Sequence, residues 1–253
     1  GLTHQLLSEL KQRNIPLIED VCESHGATFD GGKLGSFGLI SNFSFYYGHH
    51  MSTIEGGMVC TNDEEIYQML LMYRSHGMVR EMTNRRMRDE YQIENPDLNK
   101  EFIFAYPAYN VRGTEISAVL GRSQLKRLDK SNEKRIANFK LFLKQLDSSR
   151  FRTDFFTEGS CNYGFNVVLT EPDLDLRDRL EAALTNEGIE FRRGSAGGGN
   201  QMRQPYLKNI IDDGDLSDYP EVEHVHCFGW YIGNYPDLQE SEVLELCNVL
   251  NSA

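Results

Sequence analysis

The sequence predicts an α/β fold in two units, and three observations carry that expectation. An aromatic, β-prone run at 42–46 leads into a polar loop with two adjacent histidines, His49 and His50, and a second β-prone run follows at 58–61. A full helix grammar then spans 62–77: Asn62 can cap, Glu65 completes a capping box, Ile66, Met69, Leu70 and Tyr73 share a face, and Gly77 stops it. The second half repeats the alternation, with strand patterns at 164–169, 189–192 and 228–232 and amphipathic helix patterns at 176–188 and 243–250.

Taken in order, the chain begins with a helix-like stretch at 2–10. The apolar pair Leu17-Ile18 follows and runs into a polar cluster of Glu19, Asp20, Glu23 and His25. Ligands of α/β sheets sit at the carboxyl ends of the strands, so this cluster and the histidine loop are expected to converge on one pocket. Gly31-Gly32 and the glycines at 35–38 mark turns. His76 stands at the helix stop, where the helix dipole favours a histidine. The arginine-rich stretch 79–101 lacks a long apolar period and is expected to be an extended loop. A long helical pattern runs from Thr114 toward Asp147, with Ile136, Phe139, Leu143 and Leu146 on one face and Lys126, Arg127, Lys130 and Lys134 on others. The domain boundary is expected inside it, giving domains 1–122 and 123–253. Residues 194–200, GSAGGGN, read either as a surface loop or as glycines that let backbone amides approach a ligand.

Composition narrows the function classes. A chain of 253 residues can bury one large or two modest cores. Its formal charge of -12 argues against a general nucleic-acid surface, so an anionic ligand would need local arginines and backbone amides. With no run of about 18 apolar residues and no charged-then-apolar leader, a soluble, cytoplasmic protein without membrane contact is expected. Five scattered cysteines predict no disulfide framework, and no two lie close enough for zinc or iron–sulfur spacing. His49, His50 and Glu55 match no helical zinc motif, so no metal is expected. A nucleophilic triad of Ser44, His49 and Asp20 is disfavoured, because Ser44 lacks the G-x-S-x-G elbow.

Residues 18–38, IEDVCESHGATFDGGKLGSFG, and 43–63, FSFYYGHHMSTIEGGMVCTND, resemble the DegT/DnrJ/EryC1/StrS sugar aminotransferases, a family of fold-type I pyridoxal-phosphate enzymes. The resemblance implies that 1–122 is the remainder of a large cofactor-binding α/β domain and that 123–253 is a small C-terminal α/β domain. The match begins partway through that large domain, so its front portion, with a phosphate loop and a ring-stacking aromatic, is expected to be absent. By the same resemblance Asp20 pairs with the cofactor's pyridine nitrogen, Ser44 binds its phosphate, and Glu23, a further cofactor-binding candidate, stands where aminotransferases usually carry glutamine. Asn110, in YPAYNVRGT at 106–114, would reach the cofactor phosphate of a partner subunit, which implies a homodimer with shared active sites. His76, Arg80 and Glu55 are expected to contact substrate.

At the position of the family's Schiff-base lysine, five residues after Ser44, stands His49. A histidine cannot hold the cofactor covalently but can carry a proton near neutral pH. The His-His pair is similar to the family's branch of 4-keto-6-deoxysugar 3-dehydratases, as are Glu23 and FGWYIGN at 228–234. The implied reaction has two halves. Glutamate converts pyridoxal phosphate to pyridoxamine phosphate, which condenses with the C4 ketone of a nucleotide-sugar. His49 then moves a proton while the C3 hydroxyl leaves, as in deoxysugar and lipopolysaccharide biosynthesis. The cysteine pattern disfavours the iron–sulfur-dependent branch. Two alternatives stand beside this reading: a sugar aminotransferase using Lys33, and an incomplete, non-catalytic domain.

Overall fold

The computed structural model describes residues 2–194, 198–207 and 216–253, so the glycine segment 194–200 lies partly outside the described residues. The chain divides into two compact units, Gly1–Leu128 and Asp129–Ala253. This division and the expected boundary near 122 fall within the same helix. Among the described residues no helix is long and apolar enough to cross a membrane.

In the first unit, helix α1 (His4–Gln12) starts where the Thr3 hydroxyl accepts from the Leu6 amide. Strand β1 (Ile18–Asp20) follows. A minute hairpin, β2 (Thr28–Phe29) and β3 (Gly32–Lys33), separates it from β4 (Ile40–Ser44). Asp30 and Gly31, at φ 49° and 76°, form the hairpin's two-residue turn. Positive φ at both central positions is what a tight hairpin requires, and Asp-Gly supplies it at low cost. β1 pairs in parallel with β4, and β5 (Gly57–Thr61) pairs antiparallel on its other side. The register sets Asp20 opposite Asn42 and Ser44 opposite Gly57, which puts the carboxyl ends of β1 and β4 together.

Glu19, beside Asp20, is 7% exposed and turned away to another task. Its carboxylate accepts the backbone N–H groups of Gly35 at 2.7 Å, Phe37 at 2.7 Å and Gly38 at 2.6 Å, so a buried charge becomes the anchor of the loop before β4. Gly38 is required there, since a Cβ would lie 2.6 Å from the Leu17 carbonyl oxygen.

Helix α2 (Glu64–Tyr73) is capped by Asp63, whose carboxylate accepts from Ile66 at 2.9 Å, and not by the expected Asn62. The helix ends at Tyr73 and the chain turns through His76 and Gly77 at φ 57° and 75°. A Cβ on Gly77 would come within 1.9 Å of the Tyr106 carbonyl oxygen, so close backbone approach fixes this glycine.

The stretch 79–101 corrects the sequence expectation. In place of an extended loop it forms a short 3-10 turn (Val79–Glu81), helix α3 (Arg85–Glu94) and a second 3-10 turn starting at Lys100. Asn84 caps α3 through the Met87 amide. Met87 and Tyr91, four residues apart, pack against a small core of Met72, Val79, Met82 and Ile103. Two apolar anchors on one turn hold a helix that is otherwise polar, and they leave no long period to read.

Helix α4 (Glu115–Gln145) runs across the division. In the second unit its buried stripe is Asn132, Arg135, Asn138, Phe139 and Phe142, with Leu146 buried just past its end, offset from the expected one because Ile136 and Leu143 are only half-buried. An antiparallel sheet of β6 (Gly164–Val168), β8 (Gly229–Gly233) and β7 (Phe191–Arg193), in the order β6-β8-β7, is covered by α5 (Leu174–Asn186) and α7 (Glu240–Ser252). Phe142, Phe165, Leu180, Trp230, Val243 and Leu250 fill the core. Helix α6 (Pro220–Phe228), with proline in its first turn, has no counterpart in the sequence reading. Asn234, at the end of FGWYIGN, is 1% exposed and donates to the Arg135 and Asn162 carbonyls at 2.9 Å each. That segment therefore ends on a structural node.

Candidate active site

The parallel pair β1/β4 places two polar side chains at its carboxyl end. Asp20 closes β1, and its Oδ1 accepts the Cys22 N–H at 3.1 Å and the Asn42 side-chain amide at 3.0 Å. The Cys22 thiol first, then the Cys22 backbone, the Asn42 amide and the charge of His49 hold this carboxyl below its usual range. Ser44 closes β4 and is half-buried, its hydroxyl accepting from the Tyr46 amide at 3.3 Å.

The turn after β4 carries the histidines and separates them. The His49 amide donates to the Tyr46 carbonyl at 3.1 Å, its ring meets Tyr46 edge-on at 5.4 Å, and its Nε2 lies 3.7 Å from Glu23 Oε1. The His49 side chain is 15% exposed, enough to reach a ligand. His50 turns inward instead. It is buried and stacks on buried His25 with ring centroids 5.6 Å apart, and Phe43 and Phe45 flank His25. Glu23 and His49 thus come together, with Asp20 within charge range of His49, while His25 and His50 stack on each other inside the loop.

Asn110 and Arg80 belong to a second group in the same unit. Asn110 bridges to Ser75, and its Oδ1 accepts from Arg112 Nε at 3.0 Å. Glu81 lies 3.9 Å from Arg112 and 3.8 Å from Arg80, and the Arg80 guanidinium rests 5.2 Å from the centre of the Phe102 ring. His76 is exposed, and its amide donates to the Tyr109 carbonyl. Glu55 is exposed, its backbone carbonyl held by the Thr53 hydroxyl at 2.9 Å. No described contact joins the side chains of Glu55, His76 or Asn110 to the Asp20 group. Lys33 is exposed on the hairpin, where its ammonium donates to the Gly26 carbonyl at 3.2 Å. Among the described residues no group of three histidine, cysteine or acidic side chains is placed to hold a metal.

Sequence reasoning missed Cys22 and Asn42 around Asp20, and Glu81 and Arg112 around Asn110. For Asn42 the only sequence signal is that it lies in a strand that can pair with the one ending at Asp20, and which of their residues face each other depends on register.

Known proteins extend this picture. The sequence matches the DegT/DnrJ/EryC1/StrS aminotransferase family over residues 5–250. It is 34% identical over 241 residues to GDP-4-keto-6-deoxy-D-mannose 3-dehydratase of Yersinia pseudotuberculosis, a match covering 94% of this chain and 60% of that protein. The fold superposes with a TM-score of 0.80, at 31% identity, on Escherichia coli GDP-4-keto-6-deoxy-D-mannose-3-dehydratase with bound hydrated PLP, covering 97% of this chain and 63% of that one. A structure of the same kind of dehydratase with a trapped PLP-glutamate geminal diamine aligns with a TM-score of 0.76, also at 31% identity, with 97% and 63% covered. The chain therefore spans about three fifths of the length of the relatives it matches. Its architecture is the mixed α/β fold of the fold-type I pyridoxal-phosphate enzymes. The chain belongs to the DegT/DnrJ/EryC1/StrS aminotransferase family.

Proposed function

We propose that this chain belongs to a dehydratase that removes the C3 hydroxyl of a nucleotide-linked 4-keto-6-deoxysugar, with pyridoxal and pyridoxamine phosphate as cofactor forms and glutamate as amino donor. The observation that carries the proposal is His49: a histidine, and no lysine, occupies the turn after β4 beside Glu23 and within charge range of Asp20. The relatives' names, a GDP-4-keto-6-deoxymannose dehydratase with PLP or with a PLP-glutamate adduct, point to the same chemistry.

The residues present suit such a cofactor. Asp20, kept ionised by its donors, fits a protonated pyridine nitrogen, and the half-exposed Ser44 hydroxyl at the end of β4 fits a phosphate oxygen. Asn110 of a second copy would complete the phosphate site, making a homodimer with shared sites. When bound, pyridoxamine phosphate supplies a primary amine for the C4 ketone and a ring that withdraws electrons.

His49 moves a proton between the cofactor's C4′ carbon and the departing C3 oxygen, and Glu23 orients its ring. Asp20 holds the charge on the ring nitrogen. Arg80 and His76, after α2, are assigned to the nucleotide-sugar together with Glu55, Arg80 being half-buried against Phe102 and Glu81. A lysine at position 49 would bind the cofactor covalently and favour amino transfer, whereas histidine shuttles protons without competing for it.

Borohydride reduction of the protein with pyridoxal phosphate, followed by mass spectrometry, tests this reading, with a parallel glutamate sample followed by absorbance. The expected result is no pyridoxyl-lysine and clean conversion to the amine form. A high-yield adduct on Lys33 or any other lysine would replace the dehydratase with an aminotransferase. Absence of both adduct and conversion would mark a domain without catalysis.

A further inference from the structure

The geometry points to Asn42 and Cys22 as positioning residues that clamp the Asp20 carboxylate in the orientation needed to meet the cofactor's ring nitrogen. This rests on the cofactor reading above and adds to it two residues with no role in that reading.

Four contacts build the clamp. Asn42 sits directly opposite Asp20 in the parallel register, and the Val21 N–H donates to the Asn42 carbonyl at 2.9 Å, so the two backbones are locked before the side chains meet. The Asn42 Nδ2 then donates to Asp20 Oδ1 at 3.0 Å and to Cys22 Sγ at 3.2 Å, using both hydrogens of the amide. The Cys22 N–H donates to the same Oδ1 at 3.1 Å. Oδ1 thus accepts two bonds along directions set by the strands, and the carboxylate cannot rotate without losing both.

The thiol closes the circuit. Its sulfur accepts from Asn42 while its S–H donates to Asp20, and the Cys22 thiol is pushed up to about 11, first by burial and then by that bond to Asp20. It therefore stays protonated, a neutral donor beside the anion and not a competing thiolate. Each of these donors favours the ionised form of Asp20, the form that a pyridinium nitrogen needs.

Two measurements test the clamp. In the first, the Asp20 side-chain carbon is titrated by NMR without cofactor, in the parent and in Asn42→Val, which keeps a β-prone residue in the strand. In the second, pyridoxal phosphate affinity is measured by absorbance across pH for the same pair, for Cys22→Ala and Cys22→Ser, and for Asp20→Asn. Asn42→Val should raise the midpoint of Asp20 by about one pH unit and weaken cofactor binding about tenfold at the acid end. Cys22→Ala should shift the acid limb the same way, and Cys22→Ser, which keeps a donor, should restore it.

An unchanged Asp20 midpoint in Asn42→Val together with an unmoved acid limb in Cys22→Ala overturns the clamp, and the acid limbs of the Cys22 variants decide alone if Asn42→Val does not fold. If Asp20→Asn binds cofactor like the parent, the cofactor reading falls and the clamp's purpose with it. If Asp20→Asn loses binding while Asn42→Val and Cys22→Ala keep it, only the clamp is overturned.

Discussion

Two adjacent histidines with opposite surroundings set up the sharpest residue-level test. His49 lines a polar turn near Glu23, and His50 is buried against His25. His49→Asn should abolish C3 deoxygenation and cost about 1 kcal/mol of stability, the ordinary cost of a partly buried substitution. His50→Ala should cost about 2 kcal/mol, because it removes a buried ring from an aromatic stack. An assay of deoxysugar formation beside calorimetry separates the two, and a stable, fully active His49→Asn would sink the proposed role. Ile54, a β-branched residue at φ 74° and 69% exposed, offers a gain. Ile54→Gly relieves the Cβ crowding of the left-handed region, offsets its own entropy cost and should stabilise by about 0.5–1 kcal/mol.

The elements differ in how far they depend on local information. The caps and anchors of α3 lie within ten residues, so Asn84→Ala should cost about 1 kcal/mol and speed amide exchange across Arg85–Glu94. Gly77→Ala should cost more than about 2 kcal/mol, since its methyl would strike the Tyr106 carbonyl in a backbone conformation that already disfavours a side chain. The strands β4 and β5, helix α2 and the α/β alternation of the second unit were readable because their apolar period and turn residues are contiguous. Helix α3 was not, because its two anchors, Met87 and Tyr91, gain meaning only from Val79 and Ile103 packed against them. The site divides the same way. Asp20, Ser44 and His49 stand in motif order, whereas Asn42 enters through the register of two strands, 22 residues from Asp20, and Cys22 through the turn that follows β1.

Over the whole molecule, ionisation sets the pH window of stability. Cys22 and Cys247 are pushed from 9.0 to about 11, Cys247 by burial. A raised folded value means that their contribution is complete below about pH 9 and drains away as pH rises through about 11. The Asp20 shift has the opposite sign: its contribution is present above the ordinary carboxylate range and disappears as pH falls through the lower folded value. Thermal midpoints measured from pH 8 to 11 should therefore fall on the alkaline side, and Cys247→Ala should flatten that fall at the cost of lower stability at neutral pH. An identical slope in the variant would remove Cys247 from the explanation.

The little hairpin between β1 and β4 bears on the order in which the first unit assembles. Parallel pairing of Asp20 with Asn42 must close a loop of some twenty residues, a slow, entropy-limited event. The Asp30-Gly31 turn is local and can form within about 1–10 μs, taking up much of that loop in advance. What remains open is then short enough for Glu19 to capture Gly35, Phe37 and Gly38 as the strands meet. A structure of two-residue strands is thereby expected to set how fast the carboxyl ends of β1 and β4 come together.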